Sequence, residues 1–231
     1  MTAHPLDNPV WHALGGPHAR FALGRGAARH YPRDVAPFSA IAEPTAAAYA
    51  DLAADLPVGL EARLFRPQEE PTPQGWEAMS ARPIIQMVCE HSRPAPVGAE
   101  ASVVPLGRYD VAEMLALVDS ARPGPFGPRT IELGSYVGVW HAVTGRLVAM
   151  GGERFCLPSH VELSAIAVHP DARGRGLGAA VTAHLAHSAL ARGLVPFLHV
   201  FPDNPAVALY RRLGFRERTR LWVLWLRPKA R

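Results

Sequence analysis

The stretch Glu162-Leu-Ser-Ala-Ile-Ala-Val-His-Pro-Asp-Ala-Arg-Gly-Arg-Gly-Leu-Gly-Ala-Ala180 decides how this chain is read. It opens on an apolar run of strand length ending at Val168, and a Pro-containing link then leads to Arg173-Gly-Arg-Gly-Leu-Gly178. A helical pattern over 176–191 follows at once. Strand, glycine-rich loop and helix in that order gather unpaired backbone N–H groups at a helix N-terminus, where the helix dipole favours an anion. A phosphate-bearing ligand is therefore expected at the loop, and the surrounding residues decide which one.

A P-loop needs Gly-Lys followed by Ser or Thr, and that sequence is absent. A dinucleotide fingerprint is formally present in Gly174, Gly176 and Ala179. In that fold, however, the first glycine follows the strand directly, whereas here His169-Pro-Asp-Ala-Arg173 intervenes. No acidic residue ends a second strand at the required distance either. The third pattern fits. Arg173-x-x-Gly176-x-Gly178, led in by Ile-Ala-Val-His-Pro, resembles the Q/R-x-x-G-x-G/A motif of the GNAT acetyltransferase superfamily. Downstream, Asn204-Pro-Ala-Val-Ala-Leu-Tyr210-Arg-Arg-Leu-Gly-Phe215 resembles that family's second signature, one residue short between Asn204 and Tyr210. Glu-Leu-Ser-Ala-Ile-Ala-Val together with Phe-Leu-His-Val is most similar to the branch whose acetyltransferase domain follows a degenerate GNAT-like half.

The resemblance implies acetyl-CoA as co-substrate, no metal, and direct acetyl transfer to an amine: a small amine, an amino acid, or a peptide or protein N-terminus. It implies that Gly174, Arg175, Gly176, Leu177, Gly178 and Ala179 present N–H groups to the pyrophosphate, with Arg173 and Arg175 adding positive field. Ile166, Ala167 and Val168 would pair with the pantetheine arm and supply an oxyanion donor. Asn204 would touch the cofactor, and Tyr210 would give a hydrogen to the departing sulfur. Two residues compete as base. Glu162 matches a glutamate of the histone-modifying members, and on an unbroken strand it shares a face with residues 164, 166 and 168. Half-buried there, it would have a raised pKa. His199 stands where another branch carries a glutamate, and its ordinary pKa suits the task. Deprotonation through water, by neither residue, stays open. The same residues also admit a non-catalytic acyl-CoA-binding module or a transferase for longer acyl chains.

Working outward, residues 102–229 follow the family's strand and helix order, so the expected fold is a mixed-sheet α/β GNAT acyl-CoA N-acyltransferase domain. Residues 1–98 read as an additional, smaller α/β lobe that shapes the acceptor pocket. It contains strand-like runs at 19–23, 37–42, 59–65 and 83–89, a helix capped by Thr45, and a turn-rich loop at 66–75. The boundary is expected at the Pro-rich stretch 91–98. In the second part the pattern gives a strand at 103–106 and a helix from Asp110. A loop at 121–128, a hairpin over 136–151, a strand at 161–168 and another at 196–200 follow. A short helix capped by Asn204 and strands at 215–219 and 221–226 complete it.

The chain has 231 residues, of which 48% are hydrophobic and 19% charged, so it can bury a substantial core. No apolar run reaches the roughly 18 residues of a membrane span. No secretory signal is visible at the N-terminus, and a cytoplasmic protein without membrane partners is expected. The net charge of +4 is carried mainly by scattered Arg, which argues for an anionic small molecule rather than nucleic acid. The two cysteines, Cys89 and Cys156, form no zinc or redox pattern. His184 and His187 read as a solvated helix face rather than a metal pair. A homodimer is compatible with all of this.

Overall fold

Strands and helices alternate as the periodicity predicts, and what the sequence could not give is the order in which the strands assemble. The structure, a computed structural model, describes residues 4–57, 59–90 and 102–229. In chain order the elements are α1 (Pro9–Leu14), β1 (Ala28–His30), β2 (Ser39–Ile41), α2 (Ala46–Asp55), β3 (Ala62–Arg66) and β4 (Trp76–Val88). Next come β5 (Val104–Leu106), α3 (Val111–Ala121), β6 (Tyr136–Trp140), β7 (Leu147–Cys156), β8 (His160–Val168) and α4 (Leu177–Ala191). The last are β9 (Val195–Val200), α5 (Ala206–Arg212) and β10 (Arg216–Pro228). The boundary expected at 91–98 lies outside the described residues.

Eight strands form one mixed sheet in the order β3-β10-β4-β9-β8-β7-β6-β5, while β1 and β2 make a separate ribbon. Strands of the first hundred residues are thus built into the same sheet as the later ones, with β4 hydrogen-bonded between β9 and β10. Every pairing in the large sheet is antiparallel except β8 with β9. Apolar side chains of α4 pack on one face, with Val181 and Leu185 against Leu163 and Ile166. The N-terminal segment covers the other face through Leu6, Val10, Leu14 and Phe38 over Phe65, Phe155 and Phe197.

Several boundaries differ from the expectation. The run 19–23 is a 3-10 turn over Ala19–Phe21 rather than a strand, because the Phe21 and Ala22 N–H groups turn back to His18 and Ala19. The strand expected at 83–89 extends back to Trp76 through Pro83. Proline is tolerated because β9 reaches β4 only from Ile85 on, so one edge of β4 has no neighbour at residue 83. The two terminal runs are one strand, β10, with an irregularity between Glu217 and Thr219 that leaves Arg218 as the extra residue.

In a flat sheet β3 and β9, three positions apart, would be roughly 14 Å from one another. Yet the ring of Phe65 on β3 stacks on His199 of β9 at 4.4 Å between centroids. The sheet therefore curls, and its far edge closes over the middle strands.

Candidate active site

β8 and β9 pair only over His160↔Val195, Val161↔Pro196 and Glu162↔Phe197. Beyond that point β9 stays with β4 and leaves β8, so the backbone of 163–168 that faces β9 is unpaired. The gap is the mouth of a cavity of about 400 Å³. One end is lined by Val168, Arg173, Gly178 and Asn204, the middle by Tyr210, Ala167 and Leu198, and the other end by Phe38, Arg63, Phe65, Arg154 and Trp225. The 121–125 segment also contributes to the wall.

The splay has a local cause. Ser164 pairs with Gly152 and Ala167 with Met150, so β8 carries one more residue than β7 between these points. Ala165 absorbs it with φ +53°, a left-handed conformation that costs a non-glycine residue on the order of 1–3 kcal/mol. This bulge also corrects the expected side-chain alternation. Residues 162, 164, 166 and 168 do not share one face: Glu162 and Ser164 lie with Ala167, while Ile166 and Val168 turn toward α4. Alanine is not a bulge signal, so nothing in the sequence announced the change.

At the loop, Gly174 and Gly176 both have φ +76°, and Gly176 stands at the N-cap of α4. Among the described residues, no backbone carbonyl accepts from the N–H groups of 174–179. That is the anion nest the glycines imply, and it fits a pyrophosphate. Arg173 and Arg175 flank it, and Arg173 Nε also donates to Val168 O at 3.4 Å. Leu177 and Ala179 turn their side chains into the core, so only their backbone is available. Asn204, which lines the cavity, accepts through Oδ1 from the Ala206 N–H at 2.8 Å, which commits the oxygen to starting α5. Tyr210, on α5, lines the cavity with its ring against Phe215, and burial pushes its pKa up to about 12.

The two candidate bases are brought into direct contact, with an unforeseen third partner. Glu162 is fully buried rather than half-buried. Its carboxylate accepts from Arg154 Nε at 2.7 Å and Nη2 at 2.6 Å, and from His199 Nδ1 at 2.6 Å. Burial alone would raise its pKa as expected. The Arg154 charge, then His199, outweigh burial and hold it down at about 2. Glu162 is thus a locked anion. His199 lines the cavity, and since a carboxylate only accepts, its Nδ1 carries the hydrogen and Nε2 the lone pair. Gln86 Nε2 donates to that lone pair at 3.0 Å, and its other hydrogen goes to Leu6 O at 2.8 Å. Gln86 Oε1 accepts from Arg218 Nε, and Arg218 in turn pairs with Asp7. The bulge at Arg218 aims that side chain inward. His199 has a lowered pKa, chiefly from burial, with Glu162 pulling the other way. His184 and His187 are exposed on α4.

A mixed sheet splayed beside a helix-terminal anion nest defines the acyl-CoA N-acyltransferase fold. Comparison with known proteins agrees. Residues 136–223 match the family described as FR47-like protein. A GNAT-family protein from Novosphingobium aromaticivorans DSM 12444 is 34% identical, with 99% of this chain and 100% of that one covered at a TM-score of 0.89. A GCN5-related N-acetyltransferase from Kribbella flavida shares the fold at TM-score 0.70 and 19% identity, over 99% of this chain and 98% of that one. No curated protein matches the chain. The chain belongs to the GNAT family of acetyltransferases.

Proposed function

We propose that this protein transfers an acetyl group from acetyl-CoA directly to an amine. The observation that carries the reading is the continuity of one cavity from Arg173 and Gly178 of the glycine loop, along the unpaired edge of β8, to a ring-lined end beside His199. Acetyl-CoA would supply an activated thioester carbonyl. The loop holds the pyrophosphate, and Ile166, Ala167 and Val168 offer backbone groups to the pantetheine arm. An N–H on the edge of β8 that β9 leaves unpaired can stabilise charge developing on the carbonyl oxygen. Holding both reactants in one channel supplies much of the rate. Tyr210 donates its hydrogen to the departing sulfur, and its elevated pKa keeps that hydrogen in place until it is needed.

For the amine proton, His199 is better placed than Glu162, because His199 lines the cavity and Glu162 lies beneath it. Glu162 orients the imidazole through Nδ1, and Nε2 takes the proton as Gln86 releases it. Arg154 keeps Glu162 ionised for that task.

The test is release of free thiol from acetyl-CoA with a panel of amines. Acceptor-dependent release supports transfer, whereas tight coenzyme A binding with no release on any acceptor indicates a binding module instead. The base has its own signature. Because the His199 pKa is depressed, kcat at saturating acceptor is expected to be flat at neutral pH. It should fall on acidification only below the usual histidine value. His199→Ala should lower kcat and remove that acidic limb. An unchanged limb would return the proton to water.

A further inference from the structure

The end of the cavity away from the phosphate loop is lined by arginines and rings, and among the described residues no carboxylate lines it. Among the described residues, the charged ones lining the cavity are Arg63, Arg122, Arg154 and Arg173, with no Asp or Glu. Arg173 belongs to the loop, and Arg122 is an exposed residue of the 121–125 segment. Arg63 and Arg154 are different, because both sit among aromatic rings at the acceptor end. Arg63 projects from β3 on the same face as Phe65, with its guanidinium 4.2 Å from the Trp225 ring centroid. Phe65 stacks on Phe38 at 5.6 Å, and Arg154 lies 4.5 Å over Phe38. The two guanidinium groups thus bracket one patch of aromatic wall.

Neither cation is fully satisfied. Arg154 gives Nε and Nη2 to Glu162, and Nη1 has no hydrogen-bond partner among the described residues. Arg63 has no ion-pair partner within 4.0 Å and no hydrogen bond among the described residues. The acid that acts on it, Glu61, is bound to Arg227 at 3.1 Å. Arg154 has its counter-charge in Glu162, whereas the half-buried charge of Arg63 has none, and such a charge is costly unless something anionic completes it. An arginine fork matches a carboxylate bidentately.

We propose that the acceptor is an amine that also carries a carboxylate, an amino acid with an apolar body. Arg63 grips the carboxylate, Nη1 of Arg154 lies to one side, and Phe38, Phe65 and Trp225 enclose the side chain. Arg63 thereby sets acceptor specificity. The proposal rests on the acyl-transfer reading and narrows its substrate.

The experiment compares apolar amino acids with the amines that lack only the carboxylate, such as phenylalanine with 2-phenylethylamine and leucine with 3-methylbutylamine. With acetyl-CoA saturating, the acids are expected to have the higher kcat/KM. Arg63→Met keeps the aliphatic stem and should shrink that preference on the order of 10- to 100-fold, through KM for the acid rather than kcat. Arg63→Lys should recover part of it. Equal or better use of the amines by the unaltered protein would overturn the proposal. So would a fall in acetyl-CoA affinity parallel to the loss in Arg63→Met, which would assign Arg63 to the cofactor. If no acceptor is acetylated at all, the acyl-transfer reading fails, and calorimetry with coenzyme A present still decides this site. Binding of N-acetylphenylalanine and N-acetylleucine but not of the matching N-acetyl amines upholds it, and binding of neither pair refutes it.

Discussion

Tyr210→Phe is expected to lower kcat by about 100-fold, at the low end of the general-acid range, with little change in coenzyme A affinity. The low end applies because a thiol of ordinary pKa near 8.5 is already a fair leaving group and needs only partial help. Phenylalanine keeps the ring that packs edge-on against Phe215, so α5 and the cavity wall should persist. The decisive comparison is kcat against the calorimetric Kd for coenzyme A. A drop of only about threefold in kcat would make Tyr210 a packing residue and leave the thiolate to depart unassisted. Loss of cofactor binding instead would show that the hydroxyl anchors the pantetheine arm.

Arg154→Leu is expected to destabilise the fold by about 3–5 kcal/mol, because it strands the buried carboxylate of Glu162. For a chain of this size that corresponds to a drop in Tm of roughly 6–20 °C. Removing the anion as well, in Arg154→Leu with Glu162→Leu, should recover much of the loss, since an apolar pair carries no uncompensated charge. A double variant less stable than Arg154→Leu alone would mean that Glu162 earns its place through His199. The pH dependence has a definite sign. Glu162 has a depressed folded pKa, so its contribution is present above the unfolded carboxylate value and is lost as pH falls toward about 2. His199, also depressed, adds a loss below the usual histidine value. In Arg154→Leu the stranded carboxyl protonates readily, so the deficit measured in urea should be smaller at about pH 4 than at about pH 7.

The loop and its helix were legible in the sequence because glycine spacing and helical periodicity are local signals. Gly174 and Gly176 adopt the left-handed conformation that only their residue type reaches cheaply. The strand carrying the chemistry was legible as an element but not in its facing, since one extra residue at Ala165 reverses the alternation without any compositional mark. The Glu162–His199 contact joins two strands that were both read correctly, yet their meeting depends on a parallel register that no turn specifies. Arg154 escaped notice because the hairpin was read to end at 151, whereas β7 runs on to Cys156 and carries Arg154 into the core. Phe65 and Arg63 were further out of reach. They enter the site only because the sheet curls through β10 and β4, and long-range closure leaves no trace in a window of ten residues.

The position of β4 between β9 and β10 also has a kinetic side. β3 and β4 precede their partner β10, at Arg216–Pro228, by more than a hundred residues. Until it emerges, β3 has no neighbour in the large sheet among the described residues, and β4 has none until β9, so exposed backbone waits through the synthesis of about a hundred residues. Closure then requires contacts between distant parts of the chain, the slow class of folding event. The ring-lined end of the cavity, which takes Arg63 and Phe65 from β3 and Trp225 from β10, consequently cannot form before β10 has been synthesised.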